Sequence, residues 1–142
     1  MLVRHADPRL DAAACAAILA PSENEAEMRH RIAAVAATHC WLVAEDASGA
    51  VVGFAFATPY RGRAAQRSAA ETSAYVEEKH RRSGTGRALY TAVLGYLQRH
   101  GVRVVHAAIE PADHAAVAFH ESLGFTPAGE APGGLRWWRR EL

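Results

Sequence analysis

The chain has 142 residues, half of them hydrophobic, and a net charge of +1. Such a length supports one ordinary core, and the near-neutral balance excludes a global field that recruits nucleic acid, so local clusters must explain any anion binding. No apolar run approaches the ~20 residues of a membrane span, and the start, with His5, Asp7, Arg9 and Asp11, has no signal-peptide character.

In chain order, residues 2–4 read as a short strand. Asp7-Pro8 opens a helix that runs through 12–20 with Ile18 and Leu19 facing in, and Pro21 ends it. Ser22, with Glu25 three residues on, fits a capping box for a polar helix to about Ala37. Residues 41–44 and 51–56 read as an antiparallel hairpin around the turn residues Asp46-Ala47-Ser48-Gly49. A basic loop over 59–67 carries Arg61, Arg63 and Arg67, and a strand over 70–76 follows. Cys15 and Cys40 lack CxxC spacing and lie on apolar segments, as buried reduced thiols do.

Next comes Arg81-Arg82-Ser83-Gly84-Thr85-Gly86-Arg87, then Leu89, Val93, Leu94 and Leu97 at helical spacing until Gly101. A glycine turn between a strand and a helix lets backbone approach a ligand closely. The helix start adds unpaired N–H groups and a positive dipole end. Together they make a nest for an anion, most naturally a phosphate. Residues 102–109 form a strand, parallel to the previous one if the helix is a crossover. Asp113 caps a helix with Val117 and Phe119 inside, and Gly124 suits the left-handed position after its end. Residues 125–130 and 135–142 read as a final antiparallel pair, with Trp137-Trp138 alternating between core and surface. The order βααβββαβαββ predicts one α/β domain, 1–142, built on a mixed, mostly antiparallel sheet flanked by helices.

Arg81-x-x-Gly84-x-Gly86 on a strand–turn–helix, then a strand and a helix ending Phe119-His120-Glu121-x-Leu123-Gly124-Phe125, resembles the GNAT N-acetyltransferase superfamily. Tyr60-Arg61-x-Arg63, Glu71-Thr72-Ser73-Ala74-Tyr75-Val76 and Ala118-Phe119-His120-Glu121 are similar to its phosphinothricin/methionine-sulfoximine acetyltransferase branch. The chain departs from that branch at Gln66 and Ser68, where Tyr and Trp are usual, and at Asp113, where Asn is usual. Its link at 20–22 and its last hairpin, at 130–136, are also short.

The resemblance implies a GNAT fold with a β-α-β core for acetyl-CoA, used as co-substrate without a metal. It implies that Arg81, Arg82, Ser83, Gly84, Thr85, Gly86 and Arg87 hold the pyrophosphate. Backbone at Ala74, Tyr75 and Val76 would meet the pantetheine arm, and Asp113 joins this cofactor set. A free amine has a pKa near 10, so acyl transfer at neutral pH needs a proton acceptor, and Glu71 is the candidate base. His120 stands where many relatives place a tyrosine near the sulfur, and imidazole can donate a proton near neutral pH. Arg61, Arg63 and Arg67 are candidates to clamp an acceptor oxyanion; a solvated basic loop is the other reading.

The expected reaction is acetylation of the primary amine of a small molecule, an amino acid or amino-acid-like toxin. A protein or peptide amine, and a non-catalytic acyl-CoA sensor, are the alternatives. A cytoplasmic homodimer is expected, with Trp137 and Trp138 on the final strand contributing to its interface, and without nucleic-acid or membrane partners.

Overall fold

A computed structural model describes residues 1–62 and 68–142. The elements are β1 (Leu2–His5), α1 (Pro8–Leu19), α2 (Glu25–Thr38), β2 (Cys40–Glu45), β3 (Val51–Pro59), β4 (Ala69–Val76), α3 (Thr85–Arg99), β5 (Val104–Ile109), α4 (His114–Ser122), β6 (Thr126–Glu130) and β7 (Arg136–Glu141). This is the α/β order read from the sequence. The sheet runs β1-β2-β3-β4-β5-β7-β6 and is mostly antiparallel, with β4 and β5 paired in parallel. The chain divides into two compact units, Met1–Thr58 with Ser73–Leu97, and Pro59–Thr72 with Gln98–Leu142.

In the first unit, Asp7 caps α1 by accepting from the Arg9 and Leu10 amides, and Pro8 follows where a missing N–H costs nothing. α1 buries small residues, Ala12, Cys15 and Ala16, whereas Ile18 and Leu19 are only partly buried and pack beside that core. The small face lets α1 sit close to Trp41, whose ring stacks on Phe56 at 4.3 Å and on Phe54 at 5.2 Å. α2 begins two residues later than the capping box predicts. Asn24, not Ser22, is the cap, accepting from the Glu27 amide, and Met28 and Ile32 face the core.

Arg4 fastens β1 to α1 through a two-pronged bond to Asp11 at 2.8 and 2.9 Å, and it also reaches Glu45. Burial pushes the Asp11 carboxyl up, but Arg4 and the Asp7 amide together hold it below the usual carboxylate range. Cys15 and Cys40 are free and buried, their thiols pushed up to about 12 and about 11 by that burial. Both are therefore held as thiols rather than thiolates at neutral pH.

In the second unit, the middle of the sheet is fixed by Ala69, Ala70 and Glu71 against Val104, Val105 and His106, and by β5 against β7 along its length. Trp137 and Trp138 do not alternate: both are buried, at 4% and 6% exposure, because β7 is covered on both faces. They are therefore not available as an exposed apolar strip for a dimer contact. β6 is exposed throughout and carries Pro127, as an edge strand tolerates.

Asp113 caps α4 through the Ala116 amide. The helix closes as the sequence suggests. Gly124 has φ 87°, its amide donates to the Glu121 carbonyl, and the Phe125 amide donates to that of His120. Val117 and Phe119 are only half-buried, and the buried residue of α4 is His120. Its ring fills the hydrophobic contact of this ending, 5.1 Å from Phe125.

Candidate functional site

The first group of candidate residues lies in the first unit, where β4 ends and α3 begins. A short 3-10 turn at Glu78–His80 leads into Arg81. Arg82 and Gly84 both take left-handed backbone, at φ 62° and 86°, so the chain reverses within four residues and enters α3 at Thr85. Side chains brace the bend: Ser83 Oγ donates to the His80 carbonyl and meets Thr85 Oγ1 at 3.0 Å. Thr85 itself is buried, as are Leu89, Tyr90, Val93, Leu94 and Leu97, which anchor the helix.

Around the bend the surface is open. Nothing lies within 4 Å of where a Cβ on Gly84 would stand, and Arg81, Arg82, Ser83, Gly84 and Arg87 are exposed. No acid sits in the first turn of α3, so no side chain of that turn opposes an anion at the positive end of the helix dipole. Arg81 also donates from Nε to the Val76 carbonyl at 3.2 Å, tying the end of β4 to the loop. The second half of β4 is correspondingly less buried than the first, with Tyr75 resting on Phe54 at 5.3 Å.

One supporting residue was not singled out by sequence reasoning. A Cβ on Gly53 of β3 would stand 3.2 Å from both Leu89 Cδ1 and the Tyr75 carbonyl, and 3.3 Å from Thr85 Cγ2. Glycine at this strand position lets β4 and the start of α3 come close. Its only signal in the sequence is a glycine inside an otherwise apolar strand.

The second group lies in the second unit. Glu71 is buried at 7% exposure, not solvated. Its carboxylate is held by a two-pronged bond, Arg61 Nε to Oε1 at 2.9 Å and Nη2 to Oε2 at 2.7 Å. That bond raises the Arg61 pKa above its already high ordinary value. Arg61 is thus half-exposed and paired, and its guanidinium also sits 5.8 Å from the Trp137 ring centre. Arg63 and Arg67 lie outside the described residues.

His106 is a further member that the sequence did not reveal. It stands opposite Glu71 across the β4–β5 pair, and Tyr60 stacks flat on it at 3.7 Å and 7°. Trp137 meets Tyr60 edge-on at 4.9 Å. The His106 Nδ1 atom is buried with no hydrogen-bond partner among the described residues. Burial holds the imidazole below the ordinary histidine range, helped by Arg139 and opposed by Glu71. Only the pairing of distant strands brings these rings together, so spacing along the chain gave no clue.

His120 Nδ1 donates to the Ala116 carbonyl at 2.8 Å. A carbonyl only accepts, so Nδ1 carries the proton. Burial lowers the pKa of this imidazole, while the Ala116 bond and Asp113 pull the other way. In its neutral form the other nitrogen, Nε2, is an acceptor. A proton can leave from there only after one has been taken up.

The second unit thus holds a buried carboxylate beside a half-exposed guanidinium, and the first a glycine bend at a helix start. Residues 10–125 match the family described as Acetyltransferase (GNAT) family. The chain belongs to that family.

The chain is 39% identical over 89 residues to the phosphinothricin N-acetyltransferase of Streptomyces viridochromogenes, a match covering 63% of this chain and 48% of that one. A GNAT superfamily phosphinothricin acetyltransferase from Sinorhizobium meliloti, crystallised with AcCoA, superposes with a TM-score of 0.88 at 28% identity, covering 99% of this chain and 88% of that one. A ribosomal-protein-alanine N-acetyltransferase from Brucella melitensis superposes with a TM-score of 0.85 at 29% identity, covering 100% of both chains. The matches span about half the length of the curated relatives, which include phosphinothricin and methionine sulfoximine/sulfone acetyltransferases.

Proposed function

We propose that this GNAT chain is an acetyl-CoA-dependent N-acetyltransferase acting on the primary amine of a small, amino-acid-like molecule. The observation that carries the reading is the bend at 81–87, with its left-handed Gly84, open surface and acid-free helix start. It fits a pyrophosphate on backbone amides, with Arg81, Arg82 and Arg87 around it and Ser83, Thr85 and Gly86 shaping the turn. The less buried end of β4, Ala74 to Val76, is the segment to meet the pantetheine arm, and Asp113 at the start of α4 is a further cofactor contact. When bound, acetyl-CoA supplies an activated thioester carbonyl.

Glu71 takes the proton of the incoming ammonium, so that the amine attacks as a neutral nucleophile. Its burial, at 7% exposure, keeps bulk water from competing for that proton. His120 returns a proton to the departing sulfur. With Nδ1 committed to Ala116, the proton it gives leaves from Nε2. Because burial lowers its pKa, the charged form is scarce at neutral pH and grows as pH falls. Arg61, with Arg63 and Arg67, binds the acceptor's anionic group.

A peptide or protein amine is a second reading. It is favoured by the full-length superposition on the ribosomal-protein-alanine N-acetyltransferase. We place the protein in the cytoplasm as a homodimer, and a 15.3 kDa particle by light scattering would leave it a monomer.

The test is thiol release from acetyl-CoA across amino acids, simple amines and peptides. Turnover of amino acids alone supports the first reading, of peptides the second, and of none the sensor. Glu71→Gln should retain acetyl-CoA binding but lose about a hundredfold in kcat/KM for the amine at neutral pH, less as pH nears the pKa of the amine. A folded variant with wild-type kcat/KM from about pH 6 to 10 removes Glu71 from the mechanism.

A further inference from the structure

The two roles given to Arg61 and Glu71 exclude each other while the residues are paired. A guanidinium fork on both carboxylate oxygens, at 2.9 and 2.7 Å, occupies the atoms that would have to meet the incoming ammonium. The same bond leaves Arg61 with little to offer an incoming anion. From this, and resting on the reading of Glu71 as base and Arg61 as acceptor clamp, we infer that Arg61 masks Glu71 and that the acceptor's own carboxylate unmasks it. The acceptor class is then a zwitterion, with an anionic group beside its amine.

Exposure sets the direction of the exchange. The Arg61 side chain is 56% exposed and that of Glu71 9%, so an arriving carboxylate meets the guanidinium, not the buried acid. Arg61 keeps a second foothold on the face of Trp137, 5.8 Å away, when it lets Glu71 go.

The charges balance only for a zwitterion. The acceptor's carboxylate takes the guanidinium, and its ammonium takes the place of the guanidinium at Glu71. One ion pair becomes two, and no buried charge is stranded. The ammonium nitrogen then gives its proton to a Glu71 carboxylate oxygen and keeps the electron pair that attacks the thioester. A simple ammonium brings a second cation to one carboxylate and gives Arg61 nothing in return. It must compete with the fork unaided.

The exchange is testable in the unmodified protein. Thiol release is measured with L-methionine sulfone and with the amine made by replacing its carboxylate with hydrogen. Each is run with added acetate, ionic strength being held with chloride. The amino acid should be preferred by about a hundredfold or more, as a site left with an unmatched polar group discriminates. Acetate should raise kcat/KM for the amine in a saturable way, by about tenfold, by occupying Arg61 in place of the missing carboxylate. It should do nothing for the amino acid beyond weak competition.

Arg61→Ala, shown to be folded by its thermal response to acetyl-CoA, should turn over the amine faster than wild type and the amino acid more slowly, with no acetate effect. Adding Glu71→Gln to it should remove the gain. The masking is overturned if acetate leaves the amine unchanged or inhibits it, or if Arg61→Ala slows both substrates alike. The two levels separate cleanly. If Glu71→Gln alone is harmless, the base reading falls and the masking with it. If Glu71→Gln is damaging but acetate does not activate, only the masking falls.

Discussion

The bend at 81–87 and the cluster around Glu71 handle charge in opposite ways. The bend is seven consecutive residues whose useful groups are backbone amides, and it presents them outward with no acid in the helix turn they open. The cluster is drawn from 60–61, 71, 106 and 137, and its strongest charges are closed on each other, Arg61 on Glu71. A site made of backbone is ready for its ligand at all times, because the amides that open a helix have no carbonyl within that helix to bond. One made of side chains can satisfy itself and must be opened. The first arrangement suits a group common to every turnover. The second suits the part of the reaction where substrates are told apart.

The sharpest way to break the first half of that comparison uses two glycines. Gly49 and Gly84 share φ 86° and open space around their Cβ positions. Placing alanine at either costs about 1 kcal/mol through the left-handed backbone alone. Placing aspartate at Gly84 also sets a negative charge against the phosphate. Gly84→Asp should therefore lower acetyl-CoA affinity by about a hundredfold or more, two charged or hydrogen-bonded contacts' worth. Gly49→Asp, in the β2–β3 turn, should leave affinity unchanged. Wild type at a hundredfold excess of ligand over Kd gains ~2.7 kcal/mol of stability. An equal gain in folded Gly84→Asp would show that the bend holds no phosphate.

Gly53 sharpens the comparison by testing what holds the bend. Gly53→Ala puts a methyl 3.2 Å from the Tyr75 carbonyl and Leu89 Cδ1, tighter than ordinary contact. Backbone on one side cannot yield easily, so the start of α3 must shift. A loss of about 1–3 kcal/mol in unfolding free energy is expected, with weaker acetyl-CoA binding beside it. Denaturant titration with and without acetyl-CoA checks both. Lost stability with unchanged affinity would mean that the bend does not depend on this approach.

How far each region was legible follows from how each is made. The bend could be read because its parts are adjacent: a strand end, glycines and a helix period obey local rules. The α4 ending was legible for the same reason, down to Gly124. Ser22 failed as a cap because two competing cap residues, Ser22 and Asn24, sit two apart, and only packing of Met28 and Ile32 fixes the helix phase. Trp137 and Trp138 are both buried although neighbours on a strand point to opposite faces, which alternation along one strand cannot foretell. Glu71 was found through family resemblance, whereas its Arg61 partner and the Tyr60–His106 stack arise from strand pairing.

His106 gives the smallest effect and the finest test of the second half of the comparison. If the cluster satisfies itself, His106 Nδ1, buried without a hydrogen-bond partner among the described residues, marks an imidazole that burial holds towards its neutral form. Its pKa in the fold is lowered, by burial and then Arg139, against the ordinary value near 6.5 in the unfolded chain. Above that value both states are neutral and the residue makes no pH-dependent contribution. As pH falls through it, the unfolded chain takes a proton that the fold refuses, and stability drops until the folded pKa is reached. His39 and His120, also lowered, add to the same slope. His106→Leu removes the unpaired nitrogen but loses the stack on Tyr60, two effects of about 1 kcal/mol each and opposite sign, so stability at pH 8 should hardly change. Below about pH 6.5 the variant should gain on wild type, by at most about 1.4 kcal/mol per pH unit. Denaturant unfolding from pH 8 down to about 5.5, short of the carboxylate range, measures that gap. Parallel curves would mean that His106 is protonated alike in both states, and that the charges around Glu71 are less closed than their bonding indicates.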